Sequence, residues 1–369
     1  MKTNFYLLIL LIVIVISFLL FNDKGNALAK PQLESFINKE LLHDGEHVVI
    51  ENFTLDLNKV EASLLYNDTS TIDVVGSYSL LMQSFDLNYK LALKDFKYKD
   101  IELKEPVNAV GHAVGSYSVS KEELEMAYDI NISDLSKLQP ITKQKLYGSM
   151  FLRGQVKQEG NETTVTGKTE ELDGELEFQL KNNHFTMQMD RLSVEKIMAM
   201  LHYPSVFKAS VIGEGEYNLV EKKGVLTSTL LDAQLLPNDF IELVKNFNGL
   251  DLTKEKFKES NLSATIKKEH IDFNFIAKNS KTLINVSPAS IEMNKNLIDA
   301  HYTIEVKDKD VGGKIVGNIS DPEISIDSSK FIQREVNKAI EKHSDQLKEL
   351  GIGKEEQKKV KEFFNNLFD

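Results

Sequence analysis

From Val48 to Asp327 the sequence keeps returning to a period of two, and this constrains the fold more than any other feature of the chain. Val60-Glu61-Ala62-Ser63-Leu64 alternates apolar and polar residues, and so does Leu87-Asn88-Tyr89-Lys90-Leu91-Ala92-Leu93-Lys94. The pattern recurs in Thr186-Met187-Gln188-Met189, Leu262-Ser263-Ala264-Thr265-Ile266, Ile271-Asp272-Phe273-Asn274-Phe275 and Ile324-Ser325-Ile326-Asp327. In a strand successive side chains leave opposite faces, so each run reads as a strand with one covered and one wetted face. Turn-forming groups separate the runs: Glu159-Gly160-Asn161-Glu162, Leu172-Asp173-Gly174, Lys181-Asn182-Asn183 and Lys222-Lys223-Gly224. No long helices alternate with the strands, which argues against a parallel α/β sheet and for antiparallel meanders.

Short helices are expected between the strands. Pro31 to Leu42 reads as one. Ser120 with Glu123 has capping-box spacing ahead of Leu124, Met126 and Ala127 and predicts another. Ser193 and Lys196 flank a helical run through Ile197, Met198, Met200 and Leu201. Pro237-Asn238-Asp239 opens one containing Phe240, Ile241, Val244 and Phe247. Beyond Asp327, Ile332, Val336, Ala339, Ile340, Leu347 and Leu350 share a helical face. After Gly351-Ile352-Gly353, Val360, Phe363, Phe364, Leu367 and Phe368 mark a second amphipathic helix.

The N-terminus is of another kind. Residues 5–21 contain no charge, and as a helix they span about 25 Å, near the lower limit for crossing a bilayer. No face of this run is polar, which argues against a core helix of a soluble domain. It reads as an uncleaved signal-anchor over residues 1–29. The alternative is a cleaved signal with Ala27-Leu28-Ala29 as the processing site, eight residues beyond the apolar run. Lys2 favours a cytoplasmic N-terminus, with the bulk of the chain exported to the periplasm.

The chain has no Cys, so an exported fold must stand on packing alone, without disulfides or thiolate metal sites. Its net charge of -12 argues against nucleic acid as a partner. Residues 328–369 carry nine Lys/Arg against eight Asp/Glu, so the acidity lies in the β part.

No catalytic pattern is present: G-x-x-x-x-G-K-[ST], H-E-x-x-H and G-x-S-x-G are all missing. Gly213-Glu214-Gly215 and Gly312-Gly313 sit in strand-like sequence and read as bulges or turns. His43 and His47 lack a supporting ligand cluster and read as a solvated loop, so neither an enzyme nor a metal or other cofactor is expected. Asn131, Asn161 and Asn261 each stand in Asn-x-Ser/Thr with an acid two residues earlier. That is the extended acceptor of periplasmic N-glycosylation, relevant in a host with that pathway.

A weak internal repeat joins a small helix, a loop with Pro and a glycine-bracketed strand. It occurs at Asp134–Leu138 with Leu146–Gly154, and at Leu192–Ile197 with Val211–Tyr217. Together with the anchor and the ending Val311-Gly312-Gly313-Lys314-Ile315-Val316-Gly317 through Asp321-Pro322-Glu323-Ile324-Ser325-Ile326-Asp327, these units resemble the AsmA-like family of inner-membrane-anchored periplasmic proteins. The resemblance covers residues 130–340 and the anchor; residues 48–118 have no counterpart in it. It implies a curved antiparallel sheet with an apolar inner surface, a β-groove serving envelope biogenesis or lipid handling. Leu87, Tyr89, Leu91, Phe273 and Phe275 are then candidates to line a lipid-binding face, or alternatively plain core residues.

The expected architecture is therefore mainly β: an elongated, curved, weakly repetitive antiparallel sheet with short helices, an N-terminal transmembrane helix and C-terminal amphipathic helices. Residues 30–130 form an N-terminal β module, 131–327 an AsmA-like β module and 328–369 the C-terminal helices. The expected partner is membrane lipid, the alternative an envelope protein held by an anchored scaffold.

Overall fold

The computed structural model describes residues 22–41, 46–98, 101–103, 105–118, 121–142, 144–160, 162–238, 241–242, 244–245, 251–306, 309–327, 355 and 358–359. The expected transmembrane segment, His43, Asn161 and nearly all of the C-terminal helices lie outside them. No helix among the described residues is long and apolar enough to cross a membrane. The chain divides into two compact units, Met1–Asn183 with Met200–His202, and His184–Ala199 with Tyr203–Asp369. All but two of the described strands belong to one open antiparallel sheet of 19 strands.

The first unit holds β1 (Val48–Leu55), β2 (Lys59–Tyr66), β3 (Ser70–Ser79), β4 (Ser84–Leu93), β5 (Phe96–Tyr98), β6 (Ile101–Leu103), β7 (Val107–Ser118), β8 (Glu123–Ile132), β9 (Met150–Glu159), β10 (Glu162–Thr169) and β11 (Glu175–Lys181). From β1 to β11 each strand of the large sheet pairs antiparallel with the next, β7 following β4. The omitted pair, β5 and β6, forms a separate two-stranded ribbon. A pure meander is the topology that short polar turns allow.

The second unit continues in the same manner through β12 (His184–Ser193), β13 (Phe207–Asn218), β14 (Lys223–Leu235), β15 (Lys256–Phe257), β16 (Glu259–Lys267), β17 (His270–Lys278), β18 (Thr282–Glu292), β19 (Leu297–Val306), β20 (Lys309–Asn318) and β21 (Asp321–Asp327). Here β14 pairs with both β15 and β16, and the other strands pair in sequence order.

Because the meander alternates direction, connections fall on two edges within each unit. On one, the turn edge, they are tight: residues 56–58 and 80–83 in the first unit, and 219–222, 268–269 and 293–296 in the second. On the other, the connection edge, they are often long and carry the extra elements. Among the described residues these are the β5–β6 ribbon, the 3-10 turn Leu135–Leu138, the helix Val194–Leu201 and the 3-10 turn Leu252–Lys254. Ser193 Oγ accepts from Lys196 N–H at 3.3 Å, capping the helix that its position predicts. Asn238 Oδ1 accepts from Ile241 N–H at 2.9 Å in the same role.

The helix Asp23–Phe36 covers the free edge of β1. It begins at Asn22, whose Oδ1 accepts from Gly25 N–H at 2.9 Å. Asn26, Lys30, Glu34 and Asn38 follow at four-residue spacing, one stripe along a helix. Each meets a backbone group of β1. Asn26 Oδ1 accepts from Leu55 N–H at 3.1 Å, Lys30 Nζ donates to the Glu51 carbonyl at 2.9 Å, and a Glu34 carboxylate oxygen accepts from Ile50 N–H at 2.9 Å. Asn38 serves both groups of Val48. The unpaired edge of a sheet is thereby satisfied by side chains, and the hazard of edge-to-edge association is removed.

Two local expectations are corrected. The helix begins at Asp23 rather than Pro31, because Asn22 caps a run of helix formers, Ala27-Leu28-Ala29-Lys30. The segment after Ser120 is strand β8, not a helix. Leu124, Met126, Tyr128, Ile130 and Ile132 extend a two-residue period over the whole strand, and that alternation outweighs one capping pattern.

Candidate functional site

The registers divide the sheet into one apolar and one charged face. On β4, Phe85, Leu87, Tyr89 and Leu91 stand opposite Gly115, Ala113, Gly111 and Ala109 of β7, and opposite Tyr78, Gly76, Val74 and Ile72 of β3. The row continues through Met126, Tyr128 and Ile130 on β8, Leu152 and Val156 on β9, Val165 on β10 and Phe178 and Leu180 on β11. The other face carries Asp86, Lys90, Glu125, Arg153, Lys157, Lys168 and Glu177. There Lys157 pairs with Glu125 at 2.9 Å and Lys168 with Glu175 at 2.7 Å. Such exposed pairs contribute little stability, about 0–1 kcal/mol each, and serve to mark the wetted side.

In the second unit Phe185, Met187 and Met189 lie on the corresponding apolar face with Gly213 and Gly215. Leu262, Ala264 and Ile266 pair there with Phe275, Phe273 and Ile271. Val286, Ala289, Ala300, Tyr302, Ile304, Ile315 and Ile324 complete the row.

Glycines on this face admit the aromatic side chains. Tyr89 lies across Gly111 and donates from its hydroxyl to the Asp129 carbonyl, one strand further, at 2.7 Å. Tyr128 does the same across Gly154 to Thr166 at 3.0 Å, and Tyr302 across Gly313 to Ser325 at 3.0 Å. A Cβ on Gly111 would fall 2.5 Å from the Tyr89 hydroxyl, and one on Gly313 would fall 2.6 Å from that of Tyr302. Glycine at these positions lets the ring and the neighbouring backbone approach closely. Burial pushes the Tyr89 and Tyr128 hydroxyls above their ordinary range, and carries Tyr302 up to about 12.

The buried residues of the apolar face lie mostly toward the connection edge, and toward the turn edge its side chains are half-exposed. In the first unit Val48, Ile50, Tyr66, Val107 and Ala109 are buried at the closed end, while Leu87, Tyr89, Met126, Leu152 and Val156 remain partly exposed. In the second unit Ile241, Val244, Leu252 and Phe257 pack over Ala277, Ile284, Tyr302 and Ile304. Phe275 belongs to the rim of this core and tilts against Phe207 with 5.3 Å between ring centroids. Phe273, one step nearer the turn edge, is only partly covered.

The candidate lipid-facing residues therefore share one face within each unit: Leu87, Tyr89 and Leu91 in the first, Phe273 and Phe275 in the second. Sequence reasoning did not single out Met126, Tyr128, Leu152, Val156 and Phe178, which extend the first group. Their signal was the same alternation, masked at β8 by the capping pattern.

Asn131, next to last in β8, and Asn261, third in β16, are exposed on the polar face, with Asn261 Oδ1 accepting from the Thr229 hydroxyl at 2.8 Å. His47 faces Asp68 at 3.1 Å. No cluster of three or more His, Cys, Asp or Glu suited to a metal occurs among the described residues. The partly exposed side chains of the apolar face are aliphatic and aromatic, Leu87, Tyr89, Met126, Leu152 and Val156 among them. No family model, no curated protein and no solved structure matches the chain.

Proposed function

We propose that the protein is a membrane-anchored, exported β-groove that takes lipid acyl chains along the apolar face of its sheet and serves envelope biogenesis or lipid handling. One observation carries the reading: in the first unit the apolar face runs across the registered strands from β1 to β11, yet among the described residues its buried side chains lie mostly toward the connection edge and the rest stay half-exposed. Water on half-exposed Leu, Tyr, Met and Phe side chains is costly. Fully covering such a side chain is worth about 1.5–3 kcal/mol, so an uncovered row favours an apolar occupant. The extended form of the face matches an extended hydrocarbon chain better than a compact polar ligand. The uncharged run at residues 5–21 supplies the anchor, and the likeness to AsmA-like proteins points the same way.

Photo-crosslinking in cells expressing the full chain tests this. A photoreactive amino acid is placed at Leu87, Leu91, Met126 or Phe273, and at Glu125 and Lys157 on the charged face as controls. Phospholipid adducts at the first set and none at the second are expected. Equal labelling of both faces, or none, sinks the groove. A discrete protein adduct at Leu87 and Leu91 replaces it with the anchored scaffold.

A further inference from the structure

In the first unit, two neighbouring turns on the turn edge expose large apolar side chains at their tips. Leu57 in the β1–β2 turn is 68% exposed, and Leu80, Leu81 and Met82 in the β3–β4 turn are 71%, 92% and 72% exposed. Three consecutive exposed apolar residues contribute nothing to the fold of an aqueous turn, where Gly, Asn, Asp or Ser normally stand. Nor are these turns loose. The Tyr78 hydroxyl donates to the Asp56 carbonyl at 2.6 Å and its N–H to the Asn58 carbonyl at 3.0 Å, tying one turn to the other. Met82 N–H donates to Ser79 Oγ at 3.2 Å, and the Gln83 carbonyl accepts from Tyr117 N–H at 2.8 Å, fixing the β3–β4 tip to β7.

A second, independent observation says what lies beyond these tips. The helix Asp23–Phe36 runs antiparallel to β1: Asn38 meets Val48 at the connection edge and Asn26 meets Leu55 at the turn edge. The chain therefore enters the described unit at Asn22, beside the β1–β2 turn. The uncharged sequence run ends one residue earlier, at Phe21. Anchor exit and apolar tips stand on the same edge, and the half-exposed end of the apolar face opens there too.

We propose that Leu57, Leu80, Leu81 and Met82 insert into the outer leaflet of the bilayer that holds the anchor, seating the open end of the apolar face on the membrane. The occupant is a lipid surface. This rests on the anchored reading, and adds a docking element that the groove reading does not require. Seated in this way, a lipid tail passes from bilayer to sheet without crossing water.

The chain has no Cys, so a single substitution gives a single labelling site. The full chain carrying Leu81→Cys or Leu57→Cys is labelled with an environment-sensitive fluorophore and reconstituted in phosphatidylethanolamine–phosphatidylglycerol vesicles. Glu170→Cys, on the connection edge, is the control. Labels at 81 and 57 are expected to shift to the blue, to be quenched by acyl-brominated lipid and to resist aqueous iodide, while the label at 170 does the reverse. Iodide quenching at 81 as strong as at 170 overturns the proposal. So does a blue shift without lipid quenching, which would mean that protein covers the tip. Lipid crosslinks at Leu91 without insertion at Leu81 would discard the docking element and keep the groove. Insertion without crosslinks would do the opposite.

Discussion

Asn38 does for Val48 what a neighbouring strand would do: its Nδ2 donates to the Val48 carbonyl at 2.8 Å and its Oδ1 accepts from the Val48 N–H at 2.7 Å. With Asn26, Lys30 and Glu34 it turns one stripe of a helix into a substitute strand. The edge of a long sheet is where a second chain would otherwise add on. A carboxylate, an ammonium and two amides at four-residue spacing prevent this, while Ile37 packs against Val48 and Ile50 beside them.

Asn38→Ala is expected to cost about 1–3 kcal/mol, the penalty for leaving two backbone groups without partners. Hydrogen exchange reads the effect locally. The Val48 and Ile50 amides should exchange faster in the variant, while Ser35→Ala, on the exposed side of the same helix, leaves them unchanged. Unaltered exchange in Asn38→Ala would show that water replaces the side chain at no loss.

Gly312 and Gly313 are neighbours in β20 with opposite surroundings. A Cβ on Gly313 would lie 1.9 Å from the Ser325 carbonyl oxygen, whereas the nearest atom to one on Gly312 is 3.4 Å away. Gly313→Ala should destabilise by about 1–3 kcal/mol, the usual scale of overpacking, and Gly312→Ala by much less. Equilibrium denaturation of the two variants side by side decides it. Equal midpoints would contradict the packing of Tyr302 across the strand.

Tyr302 sets an alkaline limit. Its hydroxyl ordinarily titrates at 10.0 and is pushed up to about 12 by burial. Below pH 10 both folded and unfolded chains keep the proton, and its contribution is fully present. Between 10 and about 12 the unfolded chain loses the proton and the folded chain does not, so stability falls as pH rises through that window. Tyr302→Phe should lose about 0.5–1.5 kcal/mol at neutral pH with the hydrogen bond, and should flatten the alkaline decline. A decline of undiminished slope would assign it to other tyrosines.

On the polar face His270 is held between two carboxylates, Glu292 at 2.7 Å and Asp272 at 2.9 Å. The hydrogen bond to Glu292, then that to Asp272, raises its pKa above the ordinary 6.5. Stability from this group is fully present below that value and is lost as pH rises through the raised folded value. Glu292→Gln should therefore cost stability on the acid side and nothing well above the raised value. Its imidazole resonance should titrate at lower pH than in the parent, and an unmoved midpoint would refute the pairing.

Much of this was legible in the residues. Val60–Leu64, Leu87–Leu93 and Ile271–Phe275 declare their strands because a two-residue period has one geometrical meaning. The same alternation assigned Leu87, Tyr89 and Leu91 to one side before any register was known. At Leu124 and Met126 it was obscured, because Ser120 and Glu123 have the spacing of a helix cap and a short window satisfies both periods. The stripe Asn26, Lys30, Glu34 and Asn38 was not read from the sequence, where the helix was expected only from Pro31. A polar helix stripe ordinarily faces water, and only an unpaired strand beside it gives those side chains something else to bond.

The sequence by itself determined the class of fold, the two-faced character of each strand and an uncharged run suited to a membrane, because periodicity and hydrophobicity are local properties. Tertiary structure decided which strands are neighbours, that Tyr89 reaches Asp129 across Gly111, that Ile241 and Val244 close one end of the second unit's face, and that Leu81 stands on the edge where the chain enters at Asn22. Those are relations between residues far apart in the chain. They depend on register and on the direction of each connection, which no local window of residues contains.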